Sequence, residues 1–135
     1  MGDSPQRPVE IILARSVMGN MGTPAMLVDV GGELVFFNDA AAGVLGLRFE
    51  EAAQFDAAQW AERFSVSDDD GRPVPADELP LMIALHRERP AHRRLRFCRA
   101  AGDERQLDVS AFPIVGNEGV RGAMAIFWDT TDGPT

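Results

Sequence analysis

Side chains able to do covalent or coordination chemistry are few and scattered in this 135-residue sequence. Nucleophilic catalysis needs a nucleophile beside its base, and the candidates are Ser110, His86 and Asp108. No G-x-S-x-G elbow surrounds Ser110. Strand alternation through Leu107, Val109 and Ala111 puts those apolar residues on one face and Asp108 and Ser110 on the other, facing solvent or a partner. The chain contains no Lys, which excludes Schiff-base chemistry. No catalytic residue is therefore assigned, and an enzyme is not expected.

Metal and phosphate chemistry fare no better. One Cys and two His, His86 and His92, match no tetrahedral ligand spacing, so no metal is expected. The run "SDDDG" invites a calcium loop, but an EF-hand needs Gly at its sixth position, where counting from Asp68 gives Pro73. A solvated acidic turn is the alternative. The segment "RERPAHRRLRFCR" carries six Arg with Phe97 interleaved, a pattern that suits phosphate or RNA. Alternation instead places Arg94 and Arg96 on one strand face and Leu95 and Phe97 on the other, which reads as a solvated face paired to carboxylates. The formal net charge of -8 also opposes binding to nucleic acid or an anionic membrane.

The composition, 45% hydrophobic and 25% charged, is that of a single globular domain. Cys98 has no partner for an internal disulfide, no apolar run reaches the ~18–20 residues that span a bilayer, and the start "MGDSPQRPVE" has no hydrophobic leader. A soluble cytoplasmic protein without membrane insertion is expected.

The elements that must position any site follow from periodicity. Residues 1–7 read as a disordered lead. Residues 8–22 read as an amphipathic helix with Pro8 in its first turn and a stripe of Val9, Ile12, Leu13, Val17 and Met21. "AMLVDVGGELVFFN" is a hairpin whose Gly31-Gly32 pair supplies the positive φ angles of a tight turn. Asn38 and Asp39 cap a short helix closed near Gly46, and "FEEAAQFD" and "AAQWAERFSV" follow as helical pieces. After the turn-rich "SDDDGRPVPADELP" comes a helix ending at Pro90, then three strands: "HRRLRFCRA", "RQLDVSAFPIV" and "VRGAMAIFWD". Strands at both ends with helices between imply an α+β antiparallel sheet. In the last strand Ala123, Ala125 and Phe127 alternate with Met124, Ile126 and Trp128, so both faces are apolar and the strand should be central and covered on both sides.

The order and spacing of "VDVGGELVFFNDAAAGVLGL", "DDGRPVPADELPLMIAL" and "GDERQLDVSAFPIVGNEGVRGAMAIFWDTT" resemble a PAS domain over residues 23–132, leaving 133–135 as a tail. The resemblance implies an α+β PAS fold, with roughly five antiparallel strands and short helices cupping one face around an apolar pocket. Some members hold haem, flavin or metabolites there, while others bind nothing and act as dimerising or interaction modules. Flavin-adduct photochemistry in that family uses a Cys in an "NCR" motif on a middle helix, whereas Cys98 falls on a strand. The coumarate-binding branch is disfavoured as well, since the chain has no Tyr. A haem-binding reading makes His86 the axial ligand; against it, "LHRERP" is a polar helix end where imidazole is usually solvated. The cofactor stays unnamed.

The candidate pocket is Leu45, Trp60, Phe64, Leu81, Leu85, Leu95, Phe97, Val109 and Ala111, binding a small apolar or aromatic molecule or a fatty acid, or else simply core. The resemblance further implies a homodimer through the N-terminal helix, with Val9, Ile12, Leu13, Val17 and Met21 set against Met124, Ile126 and Trp128. It gives Asn38 a structural role between second strand and first helix. Asp129 and Thr131 fall where fused members couple the sheet to a downstream helix, but Asp132, Gly133 and Pro134 would break such a helix. The expectation is a stand-alone sensor or adaptor signalling to a separate protein through Met124, Ile126 and Trp128. A ligand carrier with haem or a small molecule is the second reading, and a small α+β enzyme the third.

Overall fold

The computed structural model describes residues 9–52, 57–99 and 102–131. The expected disordered lead, Pro8, the second half of "FEEAAQFD" and the 133–135 tail lie outside the described residues. In chain order the elements are α1 (Val9–Met18), β1 (Ala25–Asp29), β2 (Leu34–Phe37), α2 (Asp39–Leu45), α3 (Phe49–Ala52), α4 (Ala57–Arg63), a 3-10 turn (Ala76–Glu78), α5 (Pro80–Arg87), β3 (Ala91–Cys98), β4 (Glu104–Gly116) and β5 (Gly119–Asp129). The strands form one sheet in the order β2-β1-β5-β4-β3 with every neighbour antiparallel. β5 is central, as its two apolar faces require.

Two apolar clusters sit on opposite faces of this sheet. On the inner face Val28, Leu95, Phe97, Leu107, Val109, Ala111, Ala123, Ala125 and Phe127 pack against α2, α5 and Phe64. On the outer face Ala25, Leu27 and Val35 pack against Ile11 and Met18 of α1, with Ala14, Met21, Met124 and Ile126 around them. The Arg15 guanidinium lies 5.1 Å from the Phe36 ring centroid and adds a cation–π contact to this docking.

The side of α1 that packs on the chain's own sheet is not the stripe expected at a dimer contact. Ile11, Ala14 and Met18 face the chain's own sheet, whereas Val9, Ile12, Leu13 and Val17 are 54–60% exposed; of the expected set, Met21 is half-buried on the sheet side. Both sets satisfy three- and four-residue steps, so periodicity alone does not choose between them. The sheet chooses through Gly122, where a Cβ would stand 2.6 Å from Ile11 Cδ1 and 2.4 Å from the Val28 carbonyl oxygen. Only a residue without a side chain lets Ile11 sit there.

The β1–β2 turn also differs from the expectation. Only Gly32, at φ 84°, enters the left-handed region. Asp29 shapes the rest: its Oδ1 accepts N–H bonds from Gly31 and Glu33, and its carbonyl accepts one from Gly32. The run at 68–72 repeats the device, with Asp68 Oδ1 accepting from Asp70 and Arg72, and Gly71 at φ 82°. The acidic run is a backbone turn whose first carboxylate is committed to amide donors.

Asn38 joins the two layers. It is 3% exposed, and its Oδ1 accepts from Ala41 N–H at the start of α2 and Ala25 N–H at the start of β1. Its Nδ2 donates to the carbonyls of Met18 at 3.1 Å and Thr23 at 2.8 Å, the exit of α1. One amide thus fastens helix exit, strand and helix cap. Replacing it orphans buried donors and acceptors together, so Asn38→Ala should cost about 3 kcal/mol or more, and Asn38→Ser should recover only ~1 kcal/mol through the retained cap. Urea denaturation with an unchanged slope is the measurement, and equal stabilities for wild type and Asn38→Ala would contradict this role.

Candidate functional site: an apolar cavity under the sheet

Between the inner sheet face and the helices lies a cavity of about 140 Å³. Its floor is Met26, Val28 and Leu34 from β1 and β2, Ala125 and Phe127 from β5, Leu107 and Val109 from β4, and Leu95 and Phe97 from β3. Its cover is Leu45 of α2, Trp60 and Ala61 of α4, Phe64 and Val66 after it, and Leu79, Pro80, Leu81 and Met82 around the start of α5. α4 brings Trp60 and Phe64 one turn apart, stacked with ring centroids 4.8 Å apart, and Phe64 meets Phe97 edge-on at 6.0 Å. Three aromatic rings therefore run along one wall.

Most of the expected pocket residues line this space: Leu45, Trp60, Phe64, Leu81, Leu95, Phe97 and Val109. Leu85 and Ala111 do not; both are buried in the surrounding core, and Leu85 packs toward the Gly32 turn. Met26, Leu34, Leu79, Met82, Leu107 and Phe127 were not anticipated. Alternation along β1 and β5 assigns Met26 and Phe127 to the inner face, but which inward residue borders a void depends on the helices opposite.

His86 is exposed at the end of α5 and is not among the residues lining the cavity, so it cannot serve as an axial ligand to a group held there. Cys98 is partly buried at the end of β3, outside the cavity lining. Ser110 Oγ lies 2.9 Å from His92 Nδ1, while Asp108 is taken by Arg94 at 3.0 Å; both pairs are on the outer sheet face, and the three groups form no relay. Trp128, on that same face, is 45% exposed.

Arg93, Arg94 and Arg99 of the Arg-rich strip are paired to carboxylates. Arg93 meets Asp68 at 3.8 Å and Glu78 at 3.6 Å, and Arg99 binds Asp103 at 2.7 Å. Arg105 bridges Asp103 and Asp129 at 3.1 and 3.3 Å. Asp129 Oδ1 accepts from the Thr131 amide and hydroxyl, the Gln106 amide donates to Thr131 Oγ1, and the Thr130 amide donates to the Gln106 carbonyl. The end of β5 is thus tied back to β4.

No protein-family model matches the sequence, and no curated protein matches it. Solved structures do. The PAS domain of a protein from Colwellia psychrerythraea superposes with TM-score 0.58 at 16% identity, over 90% of this chain and 98% of that one. The PAS domain of the fruit-fly ELK potassium channel gives TM-score 0.67 at 13% identity, over 89% and 96%. The Rhodobacter sphaeroides LOV protein gives 0.64 at 18% identity, over 90% of this chain and 66% of that one. The chain has the PAS fold.

The hydrogen bond from Arg99 holds the Asp103 carboxyl below the ordinary aspartate value of 3.8, and backbone N–H donation, chiefly from Arg72, lowers Asp68 likewise. A depressed folded-state value means that the ionised form is favoured by folding, so this stabilisation is present above the ordinary range and is lost as pH falls through the folded values. Urea midpoints should therefore drop as pH falls below the ordinary aspartate value of 3.8, and Asp103→Asn should flatten part of that slope. A wild-type midpoint constant through the acid range would contradict it.

Proposed function

We propose that this protein is a signal-sensing module that takes a small apolar ligand into the cavity under its sheet, pairs with a second copy through α1, and acts on a separate protein. The observation that carries the reading is the cavity itself. A core of this size is ordinarily filled to the density of an organic crystal, with voids no larger than a water molecule. This chain leaves about 140 Å³ open beneath the centre of its sheet. Likeness to sensory-type PAS structures supports the class of function, and the lining supports an apolar occupant.

The pairing surface rests on Val9, Ile12, Leu13 and Val17, each more than half exposed on the side of α1 turned away from the sheet. Such a stripe repeated on a second copy about a two-fold axis meets itself, which is the usual geometry of a homodimer. The partner surface in trans is the part of the outer sheet face that carries Trp128, beside the Arg94–Asp108 pair.

Light scattering of wild type should give twice the chain mass of 14.7 kDa, and Leu13→Glu with Val17→Glu should give the single mass without loss of fold. A wild type that is monomeric throughout removes the pairing. For the ligand, a compound at about 100 times its Kd adds about 2.7 kcal/mol, a Tm rise of several degrees. Screening small apolar compounds by thermal shift with no rise for any of them would remove the ligand-binding half of the reading.

A further inference from the structure

We infer that the cavity selects an uncharged, single-ring aromatic hydrocarbon, a molecule of benzene or toluene size, over fatty acids, aromatic acids and large cofactors; this rests on the cavity being the sensing site. Size sets the first limit. An engineered apolar cavity of about 150 Å³ holds benzene, so the 140 Å³ here has room for one ring and not for a whole tetrapyrrole or flavin within it.

Polarity sets the second. Among the described residues the lining side chains are aliphatic, aromatic or thioether, with the indole N–H of Trp60 the one conventional side-chain donor. Among the described residues no Arg, His, Ser, Thr, Asn or Gln side chain lines the space to meet a carboxylate or a hydroxyl. An unpaired hydroxyl buried in such surroundings loses roughly 10- to 100-fold in affinity, and a carboxylate loses more. Fatty acids fit neither limit.

Shape favours an arene over a compact alkane. Trp60, Phe64 and Phe97 form a stacked and then edge-on series, at 4.8 Å with 27° between ring planes and 6.0 Å with 66°. A further ring beside them can be met by face or by edge, the two arrangements aromatic pairs prefer. The thioethers of Met26 and Met82 also line the space and can settle against a ring edge.

The test is binding of toluene, benzoate and hexanoate to the intact protein, followed by ligand-observed NMR and calorimetry. Toluene should bind saturably at one site per chain, with benzoate and hexanoate at least about 100-fold weaker. Ala61→Phe should fill the space and abolish toluene binding while the circular dichroism stays native. Leu95→Ala should enlarge it and admit naphthalene, which wild type refuses, so the inference stays testable even where Ala61→Phe does not fold. Benzoate or hexanoate binding as tightly as toluene would overturn the arene class and leave the ligand-sensing reading standing. If toluene fails to bind wild type, the inference falls, and the ligand-binding half of the proposed function falls with it only if the wider screen of small apolar compounds is also silent.

Discussion

The side-chain amide of Asn38 is the joint on which the two layers of this protein depend. A carboxamide has one acceptor oxygen and two donor hydrogens, and here the oxygen serves the amides that open β1 and α2 while the nitrogen holds the carbonyls where α1 ends. Helix starts and ends are where backbone groups lack partners, so one residue meets needs that arise at three different places in the chain. Because the bonds to Ala25, Ala41 and Met18 are buried, those groups cannot turn to water instead. The positions of α1 outside the sheet and α2 inside it are therefore set from one point.

Around that joint, small residues decide what each face of the sheet can do. On the outer face, Gly122 lets Ile11 approach the strands and so fixes which side of α1 is covered. The side left over carries four exposed apolar residues, Val9, Ile12, Leu13 and Val17. On the inner face, Ala125 occupies the middle of β5 and lines the cavity, where a bulkier residue would fill the space beneath the helices. The cavity follows from that choice together with the aromatic wall of Trp60, Phe64 and Phe97.

Much of this was legible in the sequence, because period-two alternation and turn residues report directly on strands. The order of elements, the central place of β5, the cap at Asn38 and the inward set Leu95, Phe97 and Val109 all follow from pattern. Other features depend on partners distant in the chain. The register of α1 was ambiguous because Ile11 and Ile12 are adjacent and both fit helical steps; the discriminating residue, Gly122, lies more than a hundred positions away. Leu85 and Ala111 face inward as expected yet miss the void, since alternation specifies a face and not a neighbour. In the β1–β2 turn, Asp29 rather than Gly31 completes the geometry, a role carried by a side-chain oxygen that propensity does not report.

The claim that Asn38 locks the two layers together can be tested most directly by native-state amide hydrogen exchange at Ala25 and Ala41, whose N–H groups both end on its Oδ1. If the joint holds as described, both amides exchange only through global opening, at the rate of the Ala125 amide in the centre of the sheet. Exchange of Ala25 and Ala41 by local opening, at rates well above that of the Ala125 amide, would contradict it.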